Sequence, residues 1–163
     1  ICLTYLLKTF SSVIIFDLFY NTCEVLMSFL YQHPFIGSIR AITETPDEVF
    51  SLKLLGDGFV VVPLESTIHA PISGIIETIY ASKHIILIKN DETTVMLHLG
   101  LKAREDIVQW NVKIKDRVAI GDPIGQLLPN FYQQSHLDQS CNIVFLEKQS
   151  CYYHNTYITC EEL

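Results

Sequence analysis

His84-Ile-Ile-Leu-Ile-Lys89 and Thr94-Val-Met-Leu-His98-Leu-Gly100 flank a polar cluster, Lys89-Asn-Asp-Glu-Thr93. The two flanking runs are apolar, of strand length and rich in β-branched residues, whereas the cluster between them suits a turn. Together they predict an antiparallel hairpin. If the turn is centred on Asp91, paired residues have numbers summing to 182, which sets His84 directly opposite His98. Residues opposed in this way share one face of a sheet, with Cβ atoms roughly 4.5–5.5 Å apart.

The same texture extends outward in both directions. Phe59-Val-Val-Val-Pro63, Ile75-Ile-Glu-Thr-Ile-Tyr80 and Asn142-Ile-Val-Phe-Leu146 are further strand-length apolar runs separated by Gly, Pro, Asp or Asn. Many short strands with punctuating turns predict an all-β fold, a compact barrel or sandwich. One stretch after residue 28, around Asn130–Asp138, reads as a short helix. Pro34-Phe-Ile-Gly37-Ser-Ile39 and Pro71-Ile-Ser-Gly74-Ile-Ile76 share the pattern P-x-x-G-x-I, and Gly56-Asp57 and Gly121-Asp122 each precede an apolar strand. Such repetition fits two similar half-barrels packed together, although Pro and Gly occupy turns in any β protein.

Apolar residues make up 49% and charged residues 18% of the 163, enough to bury one core and too apolar for a disordered chain. The net charge of −7 argues against a nucleic-acid partner and fits a basic protein partner. Cys2, Cys23, Cys141, Cys151 and Cys160 form no CxxC pair, so reduced thiols are the simplest expectation. Residues 1–27 form a strongly apolar extension that starts at Ile1 rather than Met, in keeping with a fragment. Lys8, Asp17 and Glu24 interrupt it, so no uncharged run reaches the roughly 18 residues of a membrane span. It also lacks the pattern of a secretory signal. A packed helix, a membrane-surface segment and the stub of a fused membrane domain all remain open. Residues 28–163 read as the functional domain.

A lone histidine on a half-buried strand is most simply a structural residue. Two on one face form a constellation, able to reach one small anion or one metal ion together. Gly100 permits a tight backbone path beside His98, where a carbonyl can accept from Nδ1 and leave Nε2 as a free nucleophile. A zinc ion held by His84 and His98 would be incidental, because catalytic zinc takes three protein ligands. The H-x-x-x-D and H-x-H sets of lysostaphin-type peptidases do not occur, and His33, His69, His136 and His154 read as loop or surface residues. A biotinyl or lipoyl carrier would need a suitably flanked hairpin lysine, which is missing too.

From His33 to Ile124 the chain resembles the glucose-type IIA family of the bacterial phosphoenolpyruvate-dependent sugar phosphotransferase system. The resemblance is carried by Pro34-x-x-Gly37, Pro46-Asp47-Glu-Val-Phe50, Leu55-Gly-Asp-Gly58, Ala70-Pro-Ile-Ser-Gly74, Ser82-Lys-His84, Val95-Met-Leu-His-Leu-Gly100 and Val118-Ala-Ile-Gly-Asp122. It implies a β fold of duplicated half-motifs (the duplicated hybrid motif) and a phosphoryl group carried on His98. It also implies that His84 assists, with Ser82 in place of the family's threonine. The donor implied is the phosphocarrier HPr, and the acceptor is a cysteine of a IIB domain. Asp47, Val49, Phe50, Tyr80, Met96 and Gly100 would line the docking surface. No cofactor is implied, and the setting is cytoplasmic, with membrane contact only through the permease or the N-terminal segment. Where the family reads G-[apolar]-D-T-V, this chain has Gly100-Leu-Lys102-Ala103-Arg104, so a lysine replaces an acidic partner contact. A binding module of the same scaffold without turnover is the alternative that this departure raises.

Overall fold

The computed structural model describes residues 27–102, 104–154 and 157–162. The apolar extension therefore lies outside the described residues except for Met27, and so does Ala103. Thirteen strands dominate: β1 (Met27–Leu30), β2 (Gly37–Ala41), β3 (Gly56–Pro63), β4 (Thr67–His69), β5 (Gly74–Ile79), β6 (Ile85–Lys89), β7 (Thr94–Leu99), β8 (Val108–Trp110), β9 (Arg117–Val118), β10 (Pro123–Leu127), β11 (Cys141–Leu146), β12 (Lys148–His154) and β13 (Tyr157–Glu162). A seven-stranded sheet runs β2-β3-β11-β7-β6-β5-β9, and two three-stranded sheets run β4-β10-β8 and β1-β13-β12. All pairings are antiparallel. The described residues form an all-β, layered sandwich.

Central position explains the continuous apolar runs. β11 is buried along almost its whole length, on both faces, between β3 and β7. β6, nearer the side of the sheet, alternates instead. One face carries the main core, in which Ile86, Ile88, Val95, Leu97 and Ile143 meet Ile68 of β4 and Ile124 and Leu127 of β10. The opposite face carries a smaller cluster of Ile42, Phe50, Met96 and Val144. A 3-10 turn (Ile42–Glu44) and a one-turn helix α1 (Glu48–Ser51) supply Ile42 and Phe50 to that second face.

The two P-x-x-G-x-I segments have a shared physical basis. Each glycine opens a strand, β2 at Gly37 and β5 at Gly74. At each, a side chain would strike a partner-strand carbonyl, that of Val62 or that of Lys89. The glycines are required by close backbone approach.

Three sequence expectations change. α1 was not foreseen, and the second helix, α2 (Pro129–Tyr132), is shorter than the predicted stretch. Both are single turns, too short for a hydrophobic period to register. Cys151 and Cys160 are not reduced thiols but form a disulfide, since β12–β13 pairing sets them directly opposite. Cys141 is free and buried. The hairpin register is also one residue off: Ile85 pairs with His98 and Lys89 with Thr94, so paired numbers sum to 183. The loop is Asn90–Thr93, closed by Asn90 Oδ1, which accepts from the backbone N–H of Glu92 and of Thr93, each at 2.9 Å.

Candidate functional site

Moving the register by one residue reverses the face of every side chain on one strand. His98 keeps company with Met96 on the small-cluster face. His84 is instead level with Leu99, whose N–H donates to the His84 carbonyl at 2.7 Å, and Leu99 belongs to the main core. A regular strand would therefore aim His84 away from His98. The rings nevertheless meet edge to face, with centroids 4.9 Å apart and planes at 87°.

The irregular backbone before β6 brings this about. Lys83 is left-handed, with φ of 58°. Its N–H donates to the Tyr80 carbonyl, and the His84 N–H donates to the Ser82 carbonyl, both at 2.8 Å. The chain thus enters β6 through a tight turn that carries the imidazole round to the other face. Only Gly commonly adopts φ > 0, and for other residues it costs roughly 1–2 kcal/mol. The Lys83 carbonyl accepts the Trp110 indole N–H at 2.8 Å.

His84 is buried and His98 half-buried. Burial lowers the pKa of both rings; for His98 the neighbouring His84 lowers it further, while the Gly100 backbone and Asp47 oppose the shift. Both shifts favour the neutral form of the ring. Each Nδ1 is enclosed without a well-formed hydrogen bond. The nearby backbone, Ser82 for His84 and Gly100 for His98, still acts on each ring to raise its pKa. With Nδ1 enclosed, Nε2 is the ring nitrogen left to react.

Phe50 caps the pair, its ring centroid 5.0 Å from that of His98. Asp47 N-caps α1, its carboxylate accepting from the Val49 N–H at 2.8 Å, and so holds Phe50 over the site. Val49 and Leu52 stay 41% and 65% exposed, which leaves an apolar rim beside the capped ring. Residues 30–151 match the family described as phosphoenolpyruvate-dependent sugar phosphotransferase system, EIIA 1. The chain belongs to this family.

The β-glucoside-specific EIIBCA component of the phosphotransferase system of Bacillus subtilis (strain 168) is 36% identical over 99 residues. That match covers 58% of this chain and 16% of the larger protein. The glucose permease IIA structure from Mycoplasma capricolum aligns with a TM-score of 0.69 at 24% identity, over 89% of this chain and 93% of that one. The fold is the IIA β-sandwich, and the family is that of EIIA components of the sugar phosphotransferase system.

Of the EIIA site residues expected from sequence, Phe50 and His84 contact the His98 ring, Met96 packs with Phe50, and the Asp47 charge acts on His98. Val49 follows Asp47, in α1, with its side chain exposed. Tyr80 supplies the carbonyl that closes the His84 turn, and its side chain is exposed. Ser82 meets His84 through its backbone rather than its hydroxyl. Gly100 has φ of 70°, and an added Cβ would lie 2.7 Å from the Asp138 carbonyl oxygen. Lys102 is not a free charge: its Nζ lies 2.9 Å from Asp138 Oδ2. Among the described residues, no group of three or more His, Cys, Asp or Glu side chains could hold a metal ion. No helix among them is long and apolar enough to cross a membrane.

Two residues escaped the sequence reading. Asn142 pairs with His98 across β11–β7, is fully buried, and accepts from Thr45 Oγ1 at 2.7 Å, while its Nδ2 has no hydrogen-bond partner. A lone amide inside the apolar run Cys141–Leu146 was the available signal. Thr45→Val keeps the shape and strips the amide of its one bond. It should cost about 1–3 kcal/mol, the range for orphaning a buried polar group. Urea denaturation should show a lower midpoint at unchanged slope, whereas an unmoved midpoint would mean that the amide finds another partner.

Proposed function

We propose that this chain accepts a phosphoryl group from HPr on Nε2 of His98 and passes it to a cysteine of a IIB domain during sugar uptake. The facing imidazoles under an apolar rim carry the reading. The Nε2 lone pair attacks phosphorus as the N–P bond to the HPr histidine breaks, and that imidazole leaves with the electron pair. In the second step a IIB thiolate attacks the same phosphorus, and the His98 N–P bond breaks. Phosphoryl transfer needs mainly an in-line nucleophile and donors on the equatorial oxygens. The arriving anion favours a proton on His84 Nε2, which then donates to it. Phe50 and Met96 limit water at the labile bond.

The relay draws on no metal, and a zinc ion on the two rings would be incidental to it. The basic phosphocarrier would approach past Asp47 and dock on Val49 and its apolar neighbours. The EIIBCA relative joins a IIA unit to other components, which supports work at the cytoplasmic face beside a permease. The founding test is incorporation of acid-labile phosphate from phosphoenolpyruvate, Enzyme I and HPr. A parent protein that takes none would leave a binding module on the IIA scaffold.

Lys102 favours such a module less than its charge implies, because Asp138 already engages it. An aspartate there would face Asp138, so glutamine is the cleaner replacement. Lys102→Gln frees the Asp138 carboxylate and should speed phosphorylation by a basic HPr roughly threefold at low salt, since rim charges act mainly on association. The gain should vanish as salt screens it. An equal rate at low ionic strength would place residue 102 outside the encounter surface.

A further inference from the structure

We propose that Trp110 is a positioning residue for the phosphoryl site, holding through its indole N–H the left-handed Lys83 turn that brings His84 to His98. The proposal rests on the relay reading above and adds a residue to it from a different sheet.

The β6–β7 register sends His84 toward the main core unless the chain turns before the strand begins. That turn places Lys83 at φ of 58°, where a lysine is disfavoured. Its own backbone bonds are short-range: Lys83 N–H to Tyr80 carbonyl, and His84 N–H to Ser82 carbonyl. The Lys83 carbonyl itself accepts from Trp110 Nε1, 27 residues away in sequence. Without it, the φ < 0 backbone that lysine prefers would turn His84 away from His98.

The indole is itself held in place. Trp110 pairs with Gly125 across β8–β10. A Cβ at Gly125 would lie 2.6 Å from Trp110 Cε3, so the ring lies directly over the space that this glycine leaves empty. The ring also walls an open groove of about 690 Å³ with Ile79, Lys83, Lys113 and Ile114. Trp110 thus links the β4-β10-β8 sheet to the histidine turn of the seven-stranded sheet.

Trp110→Phe preserves the packing and removes the donor. A lost hydrogen bond of this kind is worth about 1.4 kcal/mol, a factor of ten. Onward transfer from phosphorylated protein to a purified β-glucoside IIB domain should slow about tenfold. His98 should meanwhile titrate at higher pH by NMR, because the His84 ring that lowers its pKa has withdrawn. Gly125→Ala, which pushes the indole aside, should do the same. Adding Lys83→Gly to Trp110→Phe should restore most of the rate, since glycine adopts φ > 0 without the donor. A general packing defect would not be rescued. Unchanged transfer and unchanged His98 titration in folded Trp110→Phe would overturn the assignment, as would a slowed variant that Lys83→Gly fails to restore. If the parent protein takes no phosphate, the relay reading fails, while the His98 titration still reports whether Trp110 holds the two rings together.

Discussion

A His98→Ala protein incubated with phosphoenolpyruvate, Enzyme I and HPr is expected to incorporate no acid-labile phosphate. His84 is the other imidazole at the site, and in the proposed relay it serves as a donor to the transferring oxygens rather than as the nucleophile. His84→Ala should behave differently. It keeps the nucleophile and loses a donor to the transferring oxygens, so labelling should persist while onward transfer falls about 10²–10³-fold, the usual effect of deleting one such donor. The contrast between the two variants is the informative result. Undiminished labelling of His98→Ala would assign the nucleophile wrongly. Equal loss of labelling in both would mean that the two rings act as one unit from the first step.

The second large effect is structural. Gly58→Ala should destabilise the protein by at least about 3 kcal/mol, the upper range for forcing atoms into a packed interior. Gly58 lies in β3 opposite Val144, and a Cβ there would strike the Ile143 carbonyl oxygen. The obstacle is backbone on the central strand β11, which β7 pins from its other side, so it cannot step aside as a flexible side chain would. Because β11 also carries Asn142 beside His98, the damage should reach the phosphoryl site as well as the stability. Equilibrium urea unfolding checks this, and a midpoint within error of the parent would show that β3 and β11 separate locally at little cost.

Much of this was legible in the residues themselves. Strand runs such as Phe59–Pro63, Thr94–Leu99 and Asn142–Leu146 fall inside observed strands, because β-branched apolar runs bounded by turn residues are a local signal. The small helices were missed because Glu48–Ser51 and Pro129–Tyr132 are single turns with no period to detect. The Cys151–Cys160 pair depends on a hairpin register that no spacing rule encodes.

The sequence by itself determined that two histidine-bearing segments flank a polar turn inside an all-β chain, and it pointed to His84 and His98 as the pair. Composition and alternation act over a few residues, so they survive any choice of register. The tertiary structure decided how the two rings meet. Asn90 closes a four-residue loop and so shifts the pairing by one, which alone would have parted the histidines onto opposite faces. A left-handed lysine, tied by a tryptophan of another sheet, brings them back to 4.9 Å. A backbone dihedral held by a long-range hydrogen bond leaves no periodic trace in a chain, and so it appears only once the sheets have packed.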